Sequence, residues 1–112
     1  LPNLGNFSPF ACYLTENSLP TTSVPKLDSI PSMFLLGEKD DLVDNTVERA
    51  SFQTLCSQGH VLSYLECSGA THTKPLTYAF DQWLNFLEDR LDNKPLGSTC
   101  VIKPAETCTS TP

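Results

Sequence analysis

Two short apolar runs separated by one helical pattern constrain the fold of this chain more than any other feature. The first, SMFLL at residues 32–36, is typical of a strand buried on both faces, and Gly37 ends it. The second is HVLSYLE at residues 60–66. Two strands joined through a helix are most simply parallel, so this part of the chain is predicted to be α/β.

A helical pattern follows each predicted strand. Asn45 is a candidate N-cap with Glu48 at the third helical position, which predicts a helix over residues 46–57. Its inward residues are predicted to be Val47, Ala50 and Leu55. A second helix is predicted from Leu76 to about Leu91, with a core-facing stripe of apolar residues at steps of four and three. The stripe consists of Leu76, Phe80, Trp83, Leu87 and Leu91.

Composition divides the chain into three parts. Residues 1–31 contain five of the nine prolines and many Ser, Thr and Asn residues, which predicts a long irregular segment of the kind that forms lids or binding loops. Residues 32–92 form the α/β unit. Residues 93–112 are predicted to be a tail that is held down by its two cysteines.

The charge of the chain excludes some classes of partner. The formal net charge is −6 and the sequence pI is 4.6, which argues against nucleic acid and anionic membrane surfaces. No apolar run approaches the roughly 20 residues of a transmembrane helix. The first residues lack the basic and apolar regions of a signal peptide, and we interpret them as a mature or cut end.

Five cysteines, at positions 12, 56, 67, 100 and 108, indicate disulfides and therefore a secreted protein. The sequon Asn6-Phe7-Ser8 makes Asn6 a candidate glycosylation site, which fits secretion. Because five is odd, we expect one cysteine to be free or to bond outside the chain, and we favour an outside partner. Spacing leaves the pairing open, and Cys56 with Cys100 is our preferred pair.

Candidate catalytic residues lie in the two loops that follow the predicted strands. The first loop carries Asp40 and the second carries His72. Parallel strands bring both loops to the same edge of the sheet, where open α/β sheets bind ligands. A carboxylate that accepts a hydrogen bond from an imidazole prepares the other ring nitrogen to act as a general base. The pair therefore predicts two members of a catalytic relay whose nucleophile is missing.

These residues resemble a known family. GEKDDLV resembles the Gly-x-x-Asp-x-x-Val acid turn of α/β-hydrolases, and SGATH resembles the loop that delivers their catalytic histidine. The ordered set LCSQGHVLSYLE, SGATH and FDQWLNFLEDRLDNKPLGSTC is similar to the C-terminal part of the fungal secretory lipases, the family of Candida antarctica lipase A. The resemblance covers about residues 32–100.

The resemblance implies part of a secreted serine esterase or lipase, with Asp40 as the acid and His72 as the base. From its position before the acid strand, we expect segment 1–31 to belong to the lid or the acyl-binding region, and we expect no cofactor or metal. The family's serine lies in a Gly-x-Ser-x-Gly elbow upstream, and this chain has no such motif. We therefore expect a larger companion chain, cut from the same precursor, to complete the sheet, bring the serine and act on an ester or lipid.

Several alternatives stay open from the sequence. DDLVD matches the Asp-Asp-x-x-Asp magnesium motif, but that chemistry needs a long helix and a second acidic cluster. Asp41 is interpreted as a solvated neighbour, Asp44 as support for the helix start and His60 as structural. A serine peptidase or acyltransferase on the same scaffold is one alternative function. A secreted, disulfide-stabilised binding module without activity is the other.

Overall fold

The computed structural model describes residues 6–23 and 29–108 as a mixed α/β arrangement. The described elements are α1 (Phe10–Glu16), β1 (Ser32–Gly37), α2 (Asn45–Ser57), β2 (Leu62–Cys67), α3 (Lys74–Tyr78) and α4 (Phe80–Leu91). The predicted segment 1–31 and the predicted tail fall partly outside the described residues, at 1–5, 24–28 and 109–112.

The two strands pair in parallel, as the sequence predicts. Their register runs from Ser32 opposite Leu62 to Gly37 opposite Cys67, so both strands end at the same level. Side chains alternate between the two faces of a sheet, and a parallel pair therefore buries apolar residues on both. The loops after Gly37 and Cys67 consequently leave the sheet at one edge, side by side.

A helix packs on each face of the small sheet. On one face, Phe52 of α2 is 1% exposed and lies edge-on to the rings of Phe34 and Tyr64, at centroid distances of 5.3 and 5.2 Å. Burying a ring of this size stabilises the fold by about 1.5–3 kcal/mol. The opposite face has a second cluster with α3 and α4 above it: Leu65, Cys67, Ala70, Ala79 and Cys108, with Leu35, Tyr78 and Trp83 packed around them.

Helix α2 differs from the prediction in its cap and in its inward face. The N-cap is Asp44, whose side chain accepts a hydrogen bond from the N–H of Thr46 at 2.8 Å, and Asn45 is the first helical residue. Phe52 and Leu55 are buried, whereas Val47 is 57% exposed and Ala50 is also exposed. Because each residue advances about 100° around the helix, Val47 and Ala50 lie on nearly the opposite side from Phe52. With Phe52 packed against two aromatic rings of the sheet, Val47 and Ala50 therefore face outward.

The last helix is two helices, and of the five residues in the predicted core-facing stripe Trp83 packs against the core while the other four are exposed. The helix is interrupted at the buried residue Ala79, and the indole of Trp83 donates a hydrogen bond to the carbonyl of Leu76 at 2.9 Å. Leu76, Phe80, Leu87 and Leu91 are 64, 46, 48 and 82% exposed. Two strands offer too little surface to cover a stripe of this length, because it extends past the sheet.

The tail covers the outer edge of β2 and is held there by two disulfides. Cys56 bonds to Cys100, as the sequence predicts, and Cys67 bonds to Cys108. Between these anchors the N–H of Glu106 donates to the carbonyl of Glu66, as a further strand would. On the other side, the outer edge of β1 has no neighbouring strand within residues 6–23 and 29–108.

Segment 1–31 is less irregular than the sequence predicts, because it contains α1. This helix, with the sequence FACYLTE, buries no residue. Phe10 and Tyr13 are 50 and 60% exposed. After α1, the side chain of Gln58 donates to the carbonyl of Pro20 at 2.9 Å and ties the segment to the end of α2. Cys12 within α1 is a free, exposed thiol.

Candidate active site

Asp40 lies in a tight turn directly after β1. Its own N–H donates to the carbonyl of Gly37 at 3.2 Å, which closes the turn. One carboxylate oxygen, Oδ1, accepts hydrogen bonds from the N–H groups of Leu42 and Val43 at 2.9 and 3.0 Å. An aspartate that bonds the backbone two and three residues ahead is fixed in one orientation. The second oxygen, Oδ2, is therefore left at a defined place.

The turn also sets the charge of Asp40. The N–H of Val43 is the largest cause that lowers the pKa of this carboxyl below its usual range. Desolvation opposes it, and the hydrogen bonds from His72 and Leu42 act with Val43. Hydrogen bonds to the charged form favour that form. Asp40 is consequently a carboxylate at neutral pH.

His72 reaches Asp40 from the loop after β2. Its Nδ1 lies 2.8 Å from Oδ2 of Asp40. The Asp40 side chain is 9% exposed and the His72 side chain 42%, so the acid is shielded while the ring opens to solvent. The structure thus brings together the two residues that the sequence singles out, and we call them the Asp40–His72 dyad.

The dyad fixes where the imidazole carries its proton. An ionised carboxylate can only accept hydrogen bonds, so Nδ1 must donate to Asp40. The neutral ring then has its lone pair on Nε2, which accepts no hydrogen bond from the described residues. This is the arrangement of a general base oriented by an acid. An open hollow of about 250 Å³ lies beside the dyad and is also lined by Leu35, Val43 and Glu48.

The two loops fit together because Gly37 has no side chain. A Cβ at this position would lie 2.5 Å from the carbonyl oxygen of Ala70 and 2.8 Å from that of Thr71. The N–H of Lys39 donates to the same Ala70 carbonyl at 2.9 Å. Backbone atoms of the histidine loop therefore rest directly on the end of β1, which brings His72 within reach of the acid.

A buried ionic network under the acid turn was not predicted from the sequence. Glu66, at the end of β2, is 2% exposed and accepts hydrogen bonds from Tyr64 and Arg49. Burial is the largest cause that raises the pKa of Tyr64. Asn45 donates to Oε1 of Glu66 at 3.4 Å and to the carbonyl of Gly37 at 2.8 Å. The network therefore joins α2 and β2 to the base of the acid turn.

The other acidic residues and the second histidine stay outside the dyad. Asp41 is exposed and Asp44 caps α2. His60 precedes β2, at the end of the sheet opposite the dyad. In the part of the chain that the structure describes, no three His, Cys, Asp or Glu side chains are placed to hold a metal ion. Asn6 is exposed ahead of α1, and its glycosylation stays a prediction.

No protein-family model matches the chain, and comparisons with curated proteins and with solved structures gave no significant match. Of the helices that the structure describes, none has both the length and the apolarity to span a membrane. The resemblance to the fungal secretory lipases stays a prediction from the sequence motifs.

Proposed function

We propose that this chain is part of a secreted serine esterase or lipase of the α/β-hydrolase class. In this proposal it supplies the acid Asp40 and the base His72, and a companion chain supplies the nucleophilic serine. The observation that carries the proposal is the 2.8 Å contact between Nδ1 of His72 and Oδ2 of Asp40 at the carboxyl edge of two parallel strands. The two disulfides fit a secreted protein.

The proposed chemistry follows from the state of the dyad. The serine hydroxyl attacks the ester carbonyl while Nε2 of His72 takes its proton, and Asp40 stabilises the imidazolium through Nδ1. When the tetrahedral intermediate collapses, the same proton passes to the leaving alcohol. Water then repeats the sequence on the acyl-enzyme and releases the acid. Backbone N–H groups of the companion chain would hold the oxyanion.

The need for a companion chain rests on what the dyad lacks. No hydroxyl or thiol among the described residues is hydrogen-bonded to His72, and the sequence has no Gly-x-Ser-x-Gly motif. A dyad without a nucleophile cannot form an acyl-enzyme. In the proposed enzyme, the serine therefore reaches the dyad from a polypeptide segment outside these 112 residues.

The surface of the chain suggests where the companion binds. The outer edge of β1 is free within the described residues, whereas the tail already covers the outer edge of β2. Beside the free edge, an apolar groove of about 440 Å³ runs between Met33 and Leu35 of the sheet and Trp83 and Leu87 of α4. A parallel strand added to β1 would end next to the Asp40 turn, on the edge where ligands bind.

Fluorophosphonate labelling tests the proposal. The protein is isolated under native conditions from its source through a tag on this chain, and then treated with a fluorescent fluorophosphonate. We expect one labelled serine, on a companion chain. His72→Ala should abolish labelling, and His60→Gln is the matched histidine control that should keep it. An intact assembly without label would contradict the proposal and favour a binding module.

Assays with ester and peptide substrates distinguish the proposed esterase activity from peptidase and acyltransferase activities. The dyad is common to esterases, peptidases and acyltransferases, so its geometry does not select the acyl acceptor. A labelled assembly that hydrolyses p-nitrophenyl esters but not peptide amides would support the esterase. Amide cleavage, or transfer to an added alcohol in preference to water, would instead support a peptidase or an acyltransferase.

A further inference from the structure

Glu38 connects the acid turn to the histidine loop through its side chain. Its Oε2 accepts a hydrogen bond from the N–H of Gly69 at 2.7 Å and one from the hydroxyl of Ser68 at 3.1 Å. The backbone bond from Gly69 is the largest cause that lowers the pKa of Glu38, followed by the bond from Ser68. The carboxylate therefore acts as an ionised double acceptor between two loops that are 30 residues apart in sequence.

The contact lies where it can set the path of the histidine loop. Gly69 has a φ of 68°, a conformation that favours glycine, and the chain changes direction there three residues before His72. Glu38 is two residues before Asp40 on the other loop. One carboxylate thus links the bend that directs His72 to the turn that holds its partner.

Backbone bonds also hold this bend: the N–H of Ala70 donates to the carbonyl of Cys67 at 3.3 Å across Gly69, and the N–H of Ser68 donates to the carbonyl of Glu106 at 2.8 Å. The N–H of Lys39 bonds the carbonyl of Ala70, and the N–H of Glu38 itself bonds the carbonyl of Cys67 at 3.0 Å. Both hold the loop on either side of Gly69. Arg49 and Lys103 line the hollow next to Glu38, but neither pairs with its carboxylate in the described structure. Its two acceptor bonds to the loop are consequently its main polar contacts.

We propose that Glu38 is a positioning residue that holds the histidine loop so that Nδ1 of His72 donates to Asp40. The effect on the His72 ring follows from the geometry of this chain alone, while the consequence for catalysis rests on the proposed function. Glu38 does not touch the reacting atoms, and it acts only through His72.

Nitrogen-15 NMR of the His72 ring tests the proposal on the full, oxidised chain. Couplings from the carbon-bound ring protons identify which nitrogen is protonated in the neutral ring, without any need to observe the exchanging N–H. The wild type should show the Nδ1–H form. Glu38→Ala should move the ring toward the Nε2–H form that a neutral imidazole prefers in water. Glu38→Gln keeps an oxygen for the N–H of Gly69 and should keep most of the Nδ1–H form.

Two further variants make the result decisive. Lys39→Ala alters the neighbouring exposed side chain, keeps the backbone bond to Ala70, and should retain the wild-type tautomer. If Glu38→Ala does not fold by circular dichroism, Glu38→Asp replaces it, because the shorter arm keeps the charge but withdraws from Gly69. An unchanged Nδ1–H form in a folded Glu38→Ala or Glu38→Asp variant would overturn the proposal.

Kinetics then test the consequence for catalysis. In the complete assembly, Glu38→Ala should lower kcat for an ester at least tenfold with KM unchanged, because a misplaced base loses transition-state stabilisation. Glu38→Gln should recover most of that loss. If the assembly proves inactive toward esters while the tautomer changes as expected, the proposed function fails and the positioning role of Glu38 stands. If instead the assembly hydrolyses esters while the tautomer in Glu38→Ala is unchanged, the positioning role of Glu38 fails and the proposed function stands.

Discussion

The alpha carbon of Gly37 and the carbonyl of Ala70 are so close that a side chain on Gly37 would enter the backbone of the histidine loop. A Cβ there would lie 2.5 Å from the Ala70 oxygen. The contact joins the end of β1, which leads to Asp40, to the loop that carries His72. The spacing of these two loops is therefore set by a glycine.

Gly37→Ala should destabilise the chain and separate the dyad. The obstructing atoms are backbone, so the strain cannot be relieved by rotating a side chain, and overpacking of this kind costs about 1–3 kcal/mol. Urea unfolding measures the loss, and nitrogen-15 NMR should show reduced Nδ1–H form at His72. Gly97→Ala is the control, because nothing lies within 4 Å of its Cβ position. Equal stability of the two variants would contradict this account of the loops.

Glu66→Ala should destabilise the chain by about 2–4 kcal/mol. Removing Glu66 leaves the buried Tyr64 hydroxyl without its acceptor and the Arg49 guanidinium without its counter-charge. The Arg49 side chain is 41% exposed, which places the loss below that of a fully buried pair. Urea unfolding of Glu66→Ala beside Glu88→Ala, an exposed glutamate on α4, gives the comparison. Surface substitutions usually change the free energy of unfolding by less than about 0.5 kcal/mol. If Glu66→Ala and Glu88→Ala differ by no more than this, the network contributes little to stability.

Stability should fall in acid partly through Asp40. Its pKa is lower in the folded chain than in the unfolded chain, so the unfolded state binds the proton more tightly. This contribution to the free energy of unfolding is fully present above the unfolded-state pKa of about 3.9, and it is lost as the pH falls through the lowered pKa of the folded state. Asp40→Asn should therefore show a shallower loss of urea midpoint between neutral pH and about pH 2.5. Parallel curves for wild type and variant would contradict the hydrogen bonding assigned to this carboxylate.

Leu87→Lys should prevent the proposed companion chain from binding while leaving this chain folded. Leu87 is 48% exposed and lines the apolar groove beside the outer edge of β1, so a lysine there remains solvated in the separate chain. The free energy of unfolding should change by less than about 0.5 kcal/mol. Recovery of the companion in native purification measures binding. Val101→Lys, on the tail at the far edge of the sheet and 50% exposed, is the matched control.

The sequence predicts the part of the fold that depends on local periodicity. Apolar runs with a helix between them lead to the parallel pair β1 and β2, and the order of loops leads to Asp40 and His72. These inferences hold because the carboxyl ends of two parallel strands lie at the same edge of the sheet, independently of how the rest of the chain packs. The N-cap of α2 is only one residue from its predicted position, at Asp44 instead of Asn45, since either side chain can accept the first N–H groups.

The features that the sequence does not predict depend on contacts between distant elements. Phe52 displaces Val47 and Ala50 from the inward face of α2 because of two rings that come from the strands. Four of the five stripe residues on α3 and α4 are exposed, since burial depends on how much sheet lies beneath a helix. Glu38 and Glu66 look like ordinary charged residues in sequence, and only their partners in the folded chain reveal their roles.

Ester hydrolysis by the isolated assembly, with Asp40→Asn beside the wild type, tests the central claim most directly. An asparagine in the same place can present its amide N–H to Nδ1 and favour the wrong tautomer, which costs up to about 10⁴-fold in kcat in a serine triad. We predict a loss of at least about 100-fold in kcat for a p-nitrophenyl ester, with KM little changed. Asp41→Asn, the exposed neighbour, should keep wild-type activity. Activity in Asp40→Asn within a few-fold of the wild type would contradict the catalytic role of the Asp40–His72 dyad.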